Sequence, residues 1–239
     1  MKTILRYSVL ALAATVLAAC GSSDDDDDVV VEEARFEIRI TNLTQAQPIS
    51  PVAVMLHNSG FNSFVDGETA SPALELLAEG GDNADVLGEV QASVLHVASA
   101  STEGPVMPAS ISEALSFSVA RGELGDLRLS VIGMLVLTND AFTGTNAADI
   151  SDMAVGETRR LTGPTWDSGT EANTETAATL PGLAGEGFNV ARDDPVNRVR
   201  FHQGVVTSAS VDFGLVSSDL GEIHRFLNPS SRIVVTRVE

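Results

Sequence analysis

Between residues 35 and 41 the chain alternates strictly. Phe36, Ile38 and Ile40 are apolar while Glu37, Arg39 and Thr41 are polar, the period of two expected of a strand with one buried face. Similar runs recur at 51–58, 93–99, 114–120, 199–204 and 232–238. The stretch 129–138, "LSVIGMLVLT", is apolar almost without interruption, which predicts a central strand covered on both faces. One segment changes period. In "SPALELLAEGG", Ser71 is placed as an N-cap and Pro72 at the first helical position; Leu74, Leu77 and Ala78 share a face, and Gly80-Gly81 stop the helix. Asp82 then caps a second short turn carrying Val86, Leu87 and Val90. These helices are expected to cover an edge or end of the fold, as structure and not as part of a site. Residues 139–197 offer one modest strand, 157–163, among many Gly, Asn, Asp, Thr and Pro. A loop region that long inside a compact domain is usually functional or mobile. The expected class is all-β: an antiparallel β-sandwich with a short helical insertion, forming one domain over 34–239.

The first 33 residues read differently. Lys2 and Arg6 precede an apolar run from Val9 to Ala19, too short for the roughly 20 residues that span a bilayer, so residues 1–19 read as an export signal. The small residues before Cys20 match a bacterial lipoprotein cleavage site, at which the cysteine is lipidated and becomes the new N-terminus. The five consecutive aspartates at 24–28 repel one another, and residues 20–33 are expected to form an extended acidic tether. The expected location is the bacterial cell envelope, as a lipoprotein of the outer membrane facing periplasm or cell surface. The membrane would be a partner only through the lipid anchor.

Charge narrows the partners. The formal net charge is −19; without Lys2 and Arg6 it is −21, and without the tether acids Asp24 to Asp28, Glu32 and Glu33 it is −14. Such a domain repels nucleic acid phosphates, and nucleic acid is excluded. The same balance argues against calcium-bridged docking of the domain itself on anionic lipid. Cys20 is the only cysteine, so no disulfide within the chain staples the fold.

Candidate chemistry lies where the apolar strand runs out into Asn139-Asp140, and in "TWDSGTEANTE" at 165–175. Asp167 and Glu171 stand four apart across Ser-Gly-Thr, and Gly169 permits a turn tight enough for both to face inward. Together with Asp140 they would gather three negative charges, which a cation resolves. Calcium accepts six to eight oxygen ligands in irregular geometry, whereas magnesium demands a tight octahedron and zinc prefers the His and Cys that this region lacks. A hydrated acidic loop is the plainer reading of the same spacing.

Several segments, "FEIRITNLTQAQPISPVAVMLHN", "FVDGETASPALELLAEGGDNADVLGEV", "GPVMPASISEALSFSV", "MLVLTNDAFTGT", "WDSGTEANTE" and "FLNPSSRIVVTRV", resemble in content and order the spondin N-terminal domain family. That module occurs in F-spondin, mindin and bacterial lipoproteins. The resemblance spans nearly all of 35–239. It implies a C2-like antiparallel β-sandwich holding calcium in loops at one end, with Asp140, Asp167 and Glu171 as the side-chain ligands. Glu171 stands where the family more often has Asp, and Ala141 replaces an aromatic of animal members. Adhesive partners of the animal proteins do not transfer, because their disulfides and thrombospondin repeats are absent.

The expected role is therefore a calcium-binding surface interaction or adhesion module with a protein or glycan partner. The alternative is a carbohydrate- or polymer-binding domain that uses the same loops, with Trp166 as a stacking platform. A hydrolase is the weakest reading. No G-x-S-x-G elbow is present, and "HNSG" at 57–60 lacks the strand-to-helix context that exposes a nucleophile. His57, His96, His202 and His224 show no zinc-site spacing; His57 and His96 read as core or edge residues, and His202 could approach Asp193 and Asp194.

Overall fold

Alternation becomes architecture in two antiparallel sheets. The computed structural model describes residues 32–209 and 218–239; the expected signal segment, Cys20 and the aspartate run lie outside the described residues. In chain order the elements are β1 (Glu33–Asn42), β2 (Ala53–Asn58), α1 (Pro72–Gly80), α2 (Ala84–Ala92), β3 (His96–Ser101) and β4 (Leu115–Ala120). They continue with β5 (Leu127–Met134), β6 (Ala141–Asp149), β7 (Thr158–Gly163), β8 (Thr165–Asp167), β9 (Arg200–Phe201) and β10 (Ser231–Arg237). One sheet has the order β4-β1-β10-β7 and the other β3-β2-β5-β6-β8-β9. The protein is an all-β sandwich with short helices.

Register follows the apolar pattern. Ile38 pairs with Val235 and Ile40 with Ile233 across β1 and β10, and all four are buried. They meet Val54 and Leu56 of β2 and Leu129 and Val131 of β5 in one core between the sheets. Burying each such side chain contributes about 1.5–3 kcal/mol. An exposed ion pair such as Arg35–Glu239 contributes about 0–1 kcal/mol, so the core decides the fold.

The next residues along β2 and β5, Met55 and Ile132, point to the other face, where they join Leu74, Leu77, Val86 and Val90 in a second core. Strand β5 is thus covered on both faces, as its composition requires. The helices lie over the outer face of the six-stranded sheet instead of capping an edge or end. Helix α1 begins and ends as expected: the Ser71 hydroxyl accepts the Leu74 N–H at 3.1 Å, and Gly81 closes it in the left-handed region.

Three expectations change. The sheet begins at Glu33, inside the stretch assigned to the tether. The apolar run 129–138 does not stay extended. β5 ends at Met134, and the chain reverses into β6, a strand that the Gly, Thr, Asn and Asp content of 141–149 concealed. Residues 139–197 consequently hold β6, β7 and β8, and "TWDSGTEANTE" opens as a strand.

Candidate metal centre

Two hydrogen bonds from a single side chain set the turn between β5 and β6. The buried Gln47 amide grips the peptide of Leu137: its Oε1 accepts the Leu137 N–H at 3.1 Å and its Nε2 donates to the Leu137 carbonyl at 3.0 Å. The Thr138 hydroxyl donates to the Leu135 carbonyl and accepts the Ala141 N–H. Asn139 and Asp140 are thereby held at the mouth of β6, both wholly buried.

The partner stretch arrives by strand pairing. β8 lies antiparallel to β6 with Ala141 opposite Asp167, which brings Asp140 beside Asp167 although they are far apart in sequence. Beyond Asp167 the chain turns at Gly169, whose φ of +75° is in the left-handed region. A Cβ there would lie 2.3 Å from the Arg198 backbone nitrogen, so only glycine fits. The turn sends successive donors to Asp140: its Oδ2 accepts from the Ser168 hydroxyl at 2.8 Å, the Thr170 N–H at 2.9 Å and the Glu171 N–H at 3.2 Å. Next door, Asn139 Oδ1 accepts the N–H groups of Thr174 and Glu175 at 3.0 and 2.8 Å. Two adjacent side chains thus hold two successive parts of one loop.

Each acid's oxygens have different fates. Asp167 is occupied: Oδ1 accepts from Gly169 N–H, and Oδ2 from Asn173 Nδ2 and from Arg200 at 3.0 Å. Arg200 also reaches Asp194 at 2.7 Å. Asp140 Oδ1, Glu171 Oε2, both oxygens of Glu175, Glu79 Oε1 and Asn173 Oδ1 are buried with no hydrogen-bond partner. Buried polar atoms are almost always satisfied, and a buried carboxylate with neither partner nor counter-charge is costly. That cost shows in the acidities. Burial and then the charge of Asp140 push Asp167 up to about 7. Burial and then Glu79 push Glu171 up to about 8. Burial pushes Glu175 up to about 7, although the Val206 N–H favours its charged form. Asp140 and Glu79 are raised by burial too, against the donors that face them.

These unpartnered acceptors are all oxygens, and most belong to carboxylates. Such a donor set fits a hard cation such as calcium and offers nothing that zinc prefers. Among the described residues, no three His, Cys, Asp or Glu side chains are drawn tightly enough together to hold a metal ion as they stand.

Asp140, Asp167 and Glu171 therefore share one buried neighbourhood, in which Asp167 is also engaged by an arginine. Sequence reasoning passed over Glu175, although it repeats the spacing of four that separates Asp167 from Glu171. Glu79 gave no such signal. It is buried because the last turn of α1 abuts the 187–189 segment, where the Asn189 N–H donates to Glu79 Oε2 at 2.8 Å. Glu75 of the same helix is paired with Arg192 at 2.6 Å, so α1 helps to build the site.

The other singled-out residues separate from this centre. Trp166 lies outside the cluster of acids, stacked on Phe201 with centroids 4.3 Å apart and tilted against Phe64. His57 is buried and bonded to Ser130 Oγ and the Asn58 carbonyl. His202 is packed against Phe226, with Nδ1 accepting the Gly204 N–H. No protein-family model matches the chain, and no curated protein matches it either, so the reading of this centre rests on its own geometry.

Proposed function

We propose that this protein is an exported, lipid-anchored module of the spondin N-terminal type, with a C2-like sandwich that binds calcium through Asp140, Asp167 and Glu171 and presents the ordered loops to a surface partner. Its role is binding and adhesion, not catalysis. The observation that supports this reading is the group of buried carboxylate oxygens without partners where the loop after β8 meets the β5–β6 turn. A divalent ion supplies the missing counter-charge. Without one, those acids repel and the loop gives up order; with one, the end of the sandwich becomes a fixed contact surface. Cys20 provides membrane residence through its lipid, and the tether holds the sandwich away from the headgroups.

A thermal melt in calcium, magnesium and chelator tests the metal. At 100 times its dissociation constant a ligand adds about 2.7 kcal/mol, which for a domain of this size is a rise of roughly 5–10 °C. Calcium should give that rise, magnesium much less, and Asp140→Asn should abolish it. No calcium-dependent rise in the wild type would refute the reading. Mass spectrometry of the processed N-terminus, with Cys20→Ser as control, tests the anchor.

A polymer-binding role is the second reading. A groove of about 480 Å³ is lined by Asn62, Asp66, Asn146 and Thr162 together with the aromatic residues Phe64 and Trp166, a mixture of polar and aromatic groups suited to a sugar chain. Glycan-array binding independent of calcium would favour it.

A further inference from the structure

We propose that Glu175 is a further ligand of the cation, a fourth carboxylate beside those of Asp140, Asp167 and Glu171. This deepens the calcium reading above and rests on it. Among the described residues Glu175 is the one acid with both carboxylate oxygens buried and without a hydrogen bond of ordinary geometry; the Val206 N–H faces it only loosely, and the residue is 0 % exposed. A carboxylate in that state has lost its hydration, and the nearby Val206 N–H offsets only part of the cost. Asp140 and Asp167 lie near enough for their charges to bear on it, and its N–H is held by Asn139 next to Asp140, so it adjoins the centre already described.

The backbone holds it there. Thr174 and Glu175 both donate their N–H groups to Asn139 Oδ1, the Asp219 N–H donates to the Glu175 carbonyl at 2.8 Å, and Glu175 has a φ of +46°. A residue with a side chain occupies that left-handed region at a cost, and here the clamp from Asn139 maintains it. Counting acceptors by atom leads to the same residue. Both oxygens of Asp167 already accept hydrogen bonds, two of them at Oδ2 from Asn173 and Arg200. The unclaimed carboxylate oxygens around Asp140 are its own Oδ1, Glu171 Oε2, Glu79 Oε1 and the pair on Glu175, with Asn173 Oδ1 beside them; of these acids only Glu175 leaves both oxygens unclaimed. Calcium fills its shell of six to eight oxygens from such mixed carboxylate and amide donors, and the number of charged ligands tunes its affinity over decades.

Calorimetric titration with calcium chloride and thermal melts of the full chain, wild type against Glu175→Gln, test this. Glu186→Gln, at an exposed acid, is the control. The expected result is a loss of calcium affinity of roughly tenfold or more in Glu175→Gln and none in the control. The melts should invert: the variant melts above the wild type in chelator, where a buried charge has been removed, and below it in calcium. Glu175→Asp, which keeps the charge on a shorter arm, should bind with intermediate affinity, and it carries the test if the glutamine variant fails to fold. Wild-type calcium affinity in Glu175→Gln would overturn the assignment and leave the calcium reading intact. So would an equal drop in melting temperature with and without calcium, which marks a purely structural residue. A wild type that shows no calcium binding overturns both.

Discussion

The Oδ2 of Asp140 accepts the backbone N–H of Thr170 at 2.9 Å, tying the turn that ends one strand of the hairpin to a loop that begins only after three further strands. The bond lies out of water and has a charged acceptor, the kind worth about 1.5–3 kcal/mol. It organises the loop around an acid whose other oxygen has no partner. The consequences can be tested one at a time.

Stability of the metal-free protein should fall as pH rises from 6.5 to 8.5. Asp167 and Glu175 are pushed up to about 7 and Glu171 to about 8. An acid with a raised folded-state pKa adds stability that is complete below its unfolded value, near 4, and lost as pH rises through the folded value. His202, held down to about 4 by burial and then by Arg200, works in the opposite sense. Its contribution is complete above its unfolded value, near 6.5, and is lost only at lower pH, so the chosen window isolates the acids. Melting temperatures in chelator at four pH values measure the slope. Calcium, which competes with those protons, should flatten it.

Gly169→Ala should destabilise the fold by about 2–4 kcal/mol, because the new Cβ meets the Arg198 backbone as well as an unfavourable φ. Gly156 has a φ of +81° but nothing within 4 Å of a built Cβ, so Gly156→Ala should cost only the conformational strain, about 1–2 kcal/mol. Urea unfolding of the two variants compares them directly. Equal losses would show that the approach of Arg198 is unimportant.

Arg200 is the positive charge within reach of Asp167 and Asp194. Removing one member of a largely buried charge group costs several kcal/mol when the rest stay behind. Arg200 is about one-third exposed, which tempers that to about 1–3 kcal/mol. Arg200→Gln should therefore lose about that much stability in chelator by urea unfolding. Saturating calcium should recover part of the loss by supplying the charge that Asp167 has lost. A deficit unchanged by calcium would count against the ion sitting beside Asp167.

Trp166 should behave as an anchor. One face of its ring is taken by Phe201, and Phe64 leans on it, so Trp166→Ala should cost about 2–3 kcal/mol, somewhat under the range for a fully buried tryptophan. Phe201 is 56 % exposed, and Phe201→Ala should cost less than about 1 kcal/mol. Thermal melts separate the two. Glycan binding lost in Trp166→Ala with stability unchanged would instead revive its role as a platform.

How far the sequence alone reached depended on whether the determining interaction was local. The alternation of Phe36, Ile38 and Ile40 is recorded within a single strand and needs no partner to be read, and Ser71, Pro72 and Gly81 mark the ends of α1 by local chemistry. Asp140, Asp167 and Glu171 could be picked out by residue type, spacing and family resemblance. That they share one neighbourhood was decided by the pairing of β6 with β8, which places Ala141 opposite Asp167. Tertiary packing likewise decided that β6 is a strand despite its polar composition, that Arg200 occupies Asp167, and that Glu79 and Glu175 join the acids. Burial and counter-charge arise between segments remote along the chain, and no local pattern carries that information. Four residues of spacing hint at Glu175, but only the burial of its carboxylate among other acids turns the hint into chemistry.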